Sequence, residues 1–131
     1  MPTVFTRIIR GELPSHRVAE DAHHVAFLDI RPLVKGHTLV VPKREVDRYF
    51  ELSDEELARL NAFAKRVARA IYREVPCLRV GVSVIGLEVP HVHMHLVPLN
   101  QMSDIDFTRE KLEPSPKELA ETAARIAAAF A

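Results

Sequence analysis

One cysteine, Cys77, stands in the whole chain. No internal disulfide can staple it, and the sequence reads as a cytoplasmic domain in a reducing compartment. Net charge is missing as well. The 18 basic residues balance 18 acidic ones, which leaves no overall field to draw in DNA, RNA or a membrane surface. No apolar run approaches the ~20 residues of a membrane span, and the opening "MPTVFTRIIRGELP" holds none long enough for a signal peptide. Internal repeats and low-complexity tracts are absent too. What remains is a soluble domain of 131 residues, 47% of them hydrophobic, enough for one core and too few for two.

Local patterns predict the elements. Phe5, Ile8 and Ile9 suggest a short helix that "GELP" ends. "HRVAED" and "HHVAFLDI" read as short strands around a tight polar turn, "RPLVKGH" as a loop, and "TLVVP" as a strand closed by Pro42. "ELSDEELARLNAFAKRVARAIYREV" is the clearest helix: Ser53 and Glu56 form a capping box, and Leu57, Leu60, Ala64, Val67, Ala68 and Ile71 recur at helical spacing. "LRVGVSVIG" and "HVHMHLVPL" are strands pairing as a hairpin through a short turn around Gly86 and Pro90. A last helix starts from Ser115, Pro116 and Glu118, and its stripe of Leu119, Ala123, Ile126, Ala127 and Phe130 must cover something. Strands grouped together and flanked by helices predict an α+β fold with an antiparallel sheet.

Three of the seven histidines fall within "PHVHMHLVP". On a strand, His91, His93 and His95 share one face, while Val92, Met94 and Leu96 share the other and make a good core face. A merely polar outer face would use Lys, Glu or Thr. A single shared metal fails on reach, since His91 and His95 lie about 13 Å apart at ~3.3 Å per residue, and no cysteine or carboxylate stands at a helpful spacing. Imidazole nucleophilic catalysis fits better: neutral His is a good nucleophile near pH 7 once an acceptor holds its other nitrogen. A neighbouring imidazole can stabilise phosphoryl charge, as phosphoryl or nucleotidyl transfer requires.

"HVHMHLV", with "FTRIIRGELPS" and "VAFLDIRPLVKGHTLVVPK" in the same order and at about the same spacing, resembles the histidine triad (HIT) family. The resemblance implies a HIT-like fold in which a five-stranded antiparallel sheet is flanked by helices. The HIT domain would span 1–107, and 108–131 would add an extension whose helix packs on the same domain or on a dimer partner. It further implies a homodimer that hydrolyses or transfers nucleoside monophosphates through a nucleotidyl-histidine. Carried onto this chain, His93 is the nucleophile, its tautomer fixed by the His91 carbonyl. His95 donates to a phosphoryl oxygen, His91 sits near the leaving group, and His37 supports the row from the adjacent strand. Asp29 matches the acidic residue that receives the ribose hydroxyls, and Phe5, Ile8, Phe27, Leu28 and Ile30 match the apolar base pocket. Read alone, Asp29 is a turn residue and the apolar group plain core. His16, His23 and His24 read as exposed turn residues, and Lys35, Lys43 and Arg44 as a solvated rim.

Two departures stand out. Thr3 and Thr6 occupy positions where many bacterial members carry zinc-binding cysteines, so no structural zinc is expected, and no cofactor or catalytic metal is called for. Leu87 follows Gly86 where relatives carry a phosphate-binding glutamine, a bond that leucine cannot donate; Ser83 partly replaces a relative's asparagine. The expected partner is therefore a purine nucleotide or conjugate, probed first as an adenosine phosphoramidate or aminoacyl adenylate and second as a dinucleoside polyphosphate. The altered loop favours as alternative a nucleotide-binding protein with vestigial hydrolysis. A metal-dependent hydrolase, silenced by chelators, ranks third.

Overall fold

Residues 2–131, which the computed structural model describes, carry their elements in the order α1 (Val4–Ile9), β1 (Arg17–Glu20), β2 (His24–Leu28), β3 (Thr38–Pro42), α2 (Asp54–Glu74), β4 (Arg79–Ser83), β5 (Met94–Leu99) and α3 (Pro116–Ala129). Short 3₁₀ turns at Tyr49–Glu51 and Met102–Ile105 precede α2 and follow β5. The strands form one antiparallel sheet in the order β1-β2-β3-β5-β4, as the resemblance implies. Among the described residues no helix is long and apolar enough to cross a membrane.

Strand alternation divides the core in two. Ala26, Leu28, Val40, Met94 and Leu96 face α2 and α3 and join Leu60, Phe63, Val67, Ile71 and Ile126 in the larger cluster. Val25, Phe27, Leu39 and Val41 point the other way and pack with Phe5 and Ile8 of α1. The central strands β2 and β3 are therefore buried on both faces, and α1, with Leu13 and Val89, roofs the second one. The helix starts follow their caps: Ser53 accepts from the Glu56 N–H and Ser115 from the Glu118 N–H, each within a complete capping box.

Several sequence expectations need correction. β5 begins at Met94, so His91 and His93 lie in the segment entering it. β4 and β5 do pair antiparallel, but residues 84–93 make a ten-residue connection in place of a short turn. The last helix buries Leu119, Thr122, Ala123 and Ile126 against its own chain, leaving Ala127 exposed. That stripe consequently gives no support to a partner chain. His24 is no exposed turn residue. It is 4% exposed, stacks on Phe63 at 5.0 Å, and its Nδ1 lies 2.9 Å from Asp21 Oδ1. The same Asp21 oxygen accepts the His23 and His24 N–H groups, which closes the β1–β2 turn. Lys43 and Arg44 do lie at the solvated surface, half-buried and exposed respectively, where they pair with Glu20 at 2.7 Å and with Glu56 through two bonds.

Candidate active site

The face of the sheet under α1 carries the histidine row. Met94 and Leu96 point into the larger core, so strand geometry turns His95 to the opposite face, and the extended approach to β5 continues the alternation back through His93 and His91. All three rings are buried, at 9%, 7% and 0% exposure respectively. Phe5 of α1 meets the His93 ring edge-on at 4.8 Å, and His93 meets His95 at 5.0 Å.

Proton bookkeeping distinguishes the rings. His93 Nδ1 lies 2.8 Å from the His91 carbonyl. A carbonyl only accepts, so Nδ1 carries the hydrogen and Nε2 keeps its lone pair. For His37, the Leu33 N–H donates to Nδ1 at 3.0 Å, which leaves the hydrogen on Nε2. That N–H donates to His95 Nδ1 at 2.9 Å, and His95 in turn carries its own hydrogen on Nε2. The relay thus presents one bare imidazole nitrogen on His93 and one N–H donor on His95, each without a protein partner among the described residues.

Burial keeps His37 and His95 neutral. It pushes His37 from 6.5 down to about 3, helped by the neighbouring His95 and Lys111, and His95 down to about 4, helped by His93. His91 is lowered for the same reason. Asp29 moves upward, because burial disfavours its charge more than the Arg31 N–H stabilises it.

Phe5, Ile8, Phe27, Leu28, Asp29 and Ile30 line one cavity of about 400 Å3 together with His93 and His95, a volume in the range of small-molecule sites. The residues expected for base and ribose therefore border one cavity beside His93 and His95, although Leu28 packs in the larger core on the other face of the sheet, and Ile30 sits on the rim at 62% exposure. Asp29 also keeps its turn role, since Oδ1 accepts the Arg31 N–H at 2.9 Å. Ser83 is not part of this cavity. It stands opposite His95 in the β4–β5 register and lines a second groove, shared with His93, Arg48, Tyr49 and Leu87. His91 does not reach the cavity, because its Nε2 is bonded to the Pro42 carbonyl at 2.8 Å and its Nδ1 to the Thr3 hydroxyl at 2.8 Å. Its ring is enclosed with both nitrogens engaged, and its backbone carbonyl is the part that contacts His93.

Asp29, His37 and His95 bring ligand atoms within 4.8 Å of one another, a spacing suited to a metal ion. The Leu33 amide argues against that use. It holds the His37 hydrogen on Nε2, the atom that would have to be a bare ligand.

Sequence reasoning missed Phe107, whose ring packs edge-on against His95 at 4.8 Å and His37 at 6.2 Å. The strap that carries it is fastened by Lys111 Nζ donating to the Phe107 carbonyl at 2.6 Å and by the Leu112 N–H donating to the Pro32 carbonyl at 2.9 Å. An aromatic in a polar segment after the last core strand was the only available signal.

Among known proteins, a sequence model of the HIT domain matches residues 10–102. An uncharacterised HIT-like protein of Methanocaldococcus jannaschii is 40% identical over 99 residues, covering 72% of this chain and 77% of its own. An adenosine 5'-monophosphoramidase of Schizosaccharomyces pombe is 39% identical over 99 residues, covering 75% of this chain and 74% of its own. The crystal structure of a Hit-like protein from Bartonella henselae superposes with a TM-score of 0.84 at 30% identity, over 98% of this chain and 96% of that one.

Proposed function

The chain belongs to the HIT domain family, and from that membership we propose that it is a nucleotide hydrolase or transferase. It releases a nucleoside 5'-monophosphate, AMP foremost, from a phosphoramidate-type leaving group through a covalent intermediate on His93. The observation that carries this reading is the bare Nε2 of His93 on the wall of the apolar cavity, beside the N–H donor of His95.

In this reading the base lies between Phe5, Ile8 and Phe27, and the free oxygen of Asp29 receives the ribose hydroxyls. The Nε2 lone pair of His93 forms the bond to phosphorus as the bond to the leaving amine breaks, and the amine departs with a proton from solvent. His95 donates to a phosphoryl oxygen, where charge develops. Water then attacks phosphorus and returns the imidazole. His37 is a positioning residue that keeps the His95 donor correctly turned. The phosphoramidase name of the Schizosaccharomyces pombe relative supports the same substrate class.

The test is turnover of adenosine phosphoramidate, combined with AMP calorimetry on wild type and Asp29→Asn. Turnover is expected, with AMP affinity reduced about tenfold in the variant. Tight AMP binding without turnover would favour the vestigial reading, whose supporting feature is Leu87, 90% exposed where a phosphate donor is missing.

The reading includes a homodimer. Its support is the unpaired edge of β4, at the end of the sheet, where Val82 is 58% exposed. Light scattering at micromolar concentration is expected to give twice the mass of one chain; a monomer removes this part.

A further inference from the structure

We propose that Thr3 is a positioning residue for the nucleophile: its hydroxyl donates to the bare Nδ1 of the buried His91 ring and thereby holds the His91 carbonyl that orients His93. The inference rests on the proposed role of His93 and adds a residue from a different element.

The His91 ring is wholly enclosed, so both of its nitrogens need protein partners. Nε2 faces the Pro42 carbonyl at 2.8 Å and must carry the hydrogen. Nδ1 is therefore a lone pair, and the Thr3 hydroxyl at 2.8 Å is its donor. The other acceptor within reach of that hydroxyl, Thr6 Oγ1, lies farther away at 3.3 Å. The Thr3 oxygen already accepts the Thr6 N–H as the cap of α1, and the Thr6 hydroxyl spends its own proton on Glu45 Oε1 at 2.6 Å. Glu45 Oε1 also accepts the Thr3 N–H at 2.9 Å. One arrangement of protons satisfies the cluster. In the opposite His91 tautomer the Thr3 oxygen could accept from Nδ1–H, but the Nε2 lone pair would confront the Pro42 carbonyl.

The consequence runs through one residue. The ring of His91 is anchored at two points, and the carbonyl of the same residue accepts the His93 Nδ1–H at 2.8 Å. Thr3 caps the helix whose next turn supplies Phe5 and Ile8 to the cavity wall. The clamp thus ties the nucleoside wall to the attacking imidazole by a single hydroxyl. Backbone bonds at His91 and Val92 share the load, so its removal should impair rather than abolish the reaction.

Thr3→Val, which keeps the shape and removes the hydroxyl, is expected to lower kcat about 10- to 100-fold, the usual effect of losing a partner behind a reacting group. KM should change by less than about threefold, because Phe5 and Ile8 remain. Thr3→Ser should restore the rate. Nitrogen-15 spectra should show His91 protonated on Nε2 and bare on Nδ1 throughout, as the Pro42 carbonyl requires, with the Nδ1 resonance shifted by its hydrogen bond in wild type and Thr3→Ser and not in Thr3→Val. Wild-type kcat in Thr3→Val, or a raised KM alone, overturns the clamp. So does the opposite His91 tautomer in the wild-type protein, a readout that needs no variant to fold. The two readouts separate the two failures: an inactive wild-type protein overturns the proposed reaction, and the wrong tautomer overturns the clamp.

Discussion

Turnover of adenosine phosphoramidate is expected to fall by a factor on the order of 10⁵ when His93 is replaced by alanine, while the circular dichroism spectrum and unfolding midpoint should change little. The size of the loss follows from the absence of a substitute. His91 has both ring nitrogens engaged and no exposure. His95 has Nδ1 occupied by His37, so its remaining nitrogen bears a hydrogen. Within the row, only His93 holds a lone pair on the cavity wall. The fold survives because the ring already borders open space. Its removal enlarges a cavity and costs less than the roughly 3 kcal/mol lost with an enclosed aromatic. His95→Asn keeps an N–H donor in altered geometry, and a milder loss of about 10²-fold is expected. Rates, together with intact mass after brief exposure to substrate, check both; a His93→Ala protein working at the wild-type rate refutes nucleophilic catalysis by this ring.

The second large effect is on stability in mild acid. His37 and His95 are held neutral by burial, with values near 3 and near 4 against an ordinary 6.5. An unfolded chain takes up those protons as soon as pH falls below about 6.5, and the folded domain does not. Stability is therefore complete above 6.5 and declines as pH drops towards about 4, because the unfolded state binds more protons throughout that window. The combined cost is on the order of 5 kcal/mol, comparable with the whole stability of a domain this size. Asp29 opposes the trend. Its raised value means that the folded state protonates first, which relieves a deficit as pH falls. The half-buried Glu56, held near 2 chiefly by Arg44, loses its contribution only below about 4.5, beneath the histidine window. Urea midpoints measured between pH 7.5 and 4.5 should fall steadily, and His37→Phe should flatten the slope. Midpoints independent of pH across that range would show that the imidazoles are not held neutral by the fold.

Much of this was legible in the residues, for physical reasons. Ser53 with Glu56, and Ser115 with Glu118, announce helix starts because a cap is a local contact three residues long. Alternation of His with Val, Met and Leu announces two faces because a strand has period two. What was hidden are contacts between a side chain and a distant main chain. The Pro42 carbonyl on His91 Nε2 spans 49 residues and the Thr3 hydroxyl on Nδ1 spans 88, and no periodicity encodes either. The Leu33 amide on His37 was invisible for a further reason: any residue but proline could supply it. His24 was misread because one histidine beside another in a turn looks polar, whereas its ring stacks on Phe63 from a helix 39 residues away.

The tautomer relay separates what can vary from what cannot. The polarity of the histidine row is set largely by peptide groups, the Leu33 amide and the carbonyls of His91 and Pro42, which survive almost any substitution at their own positions. The shape of the cavity beside it is set largely by the side chains of α1 and β2. Drift or design can recut the second without disturbing the first, through changes at Phe5, Ile8, Phe27 and Ile30 that leave the imidazole tautomers as they are.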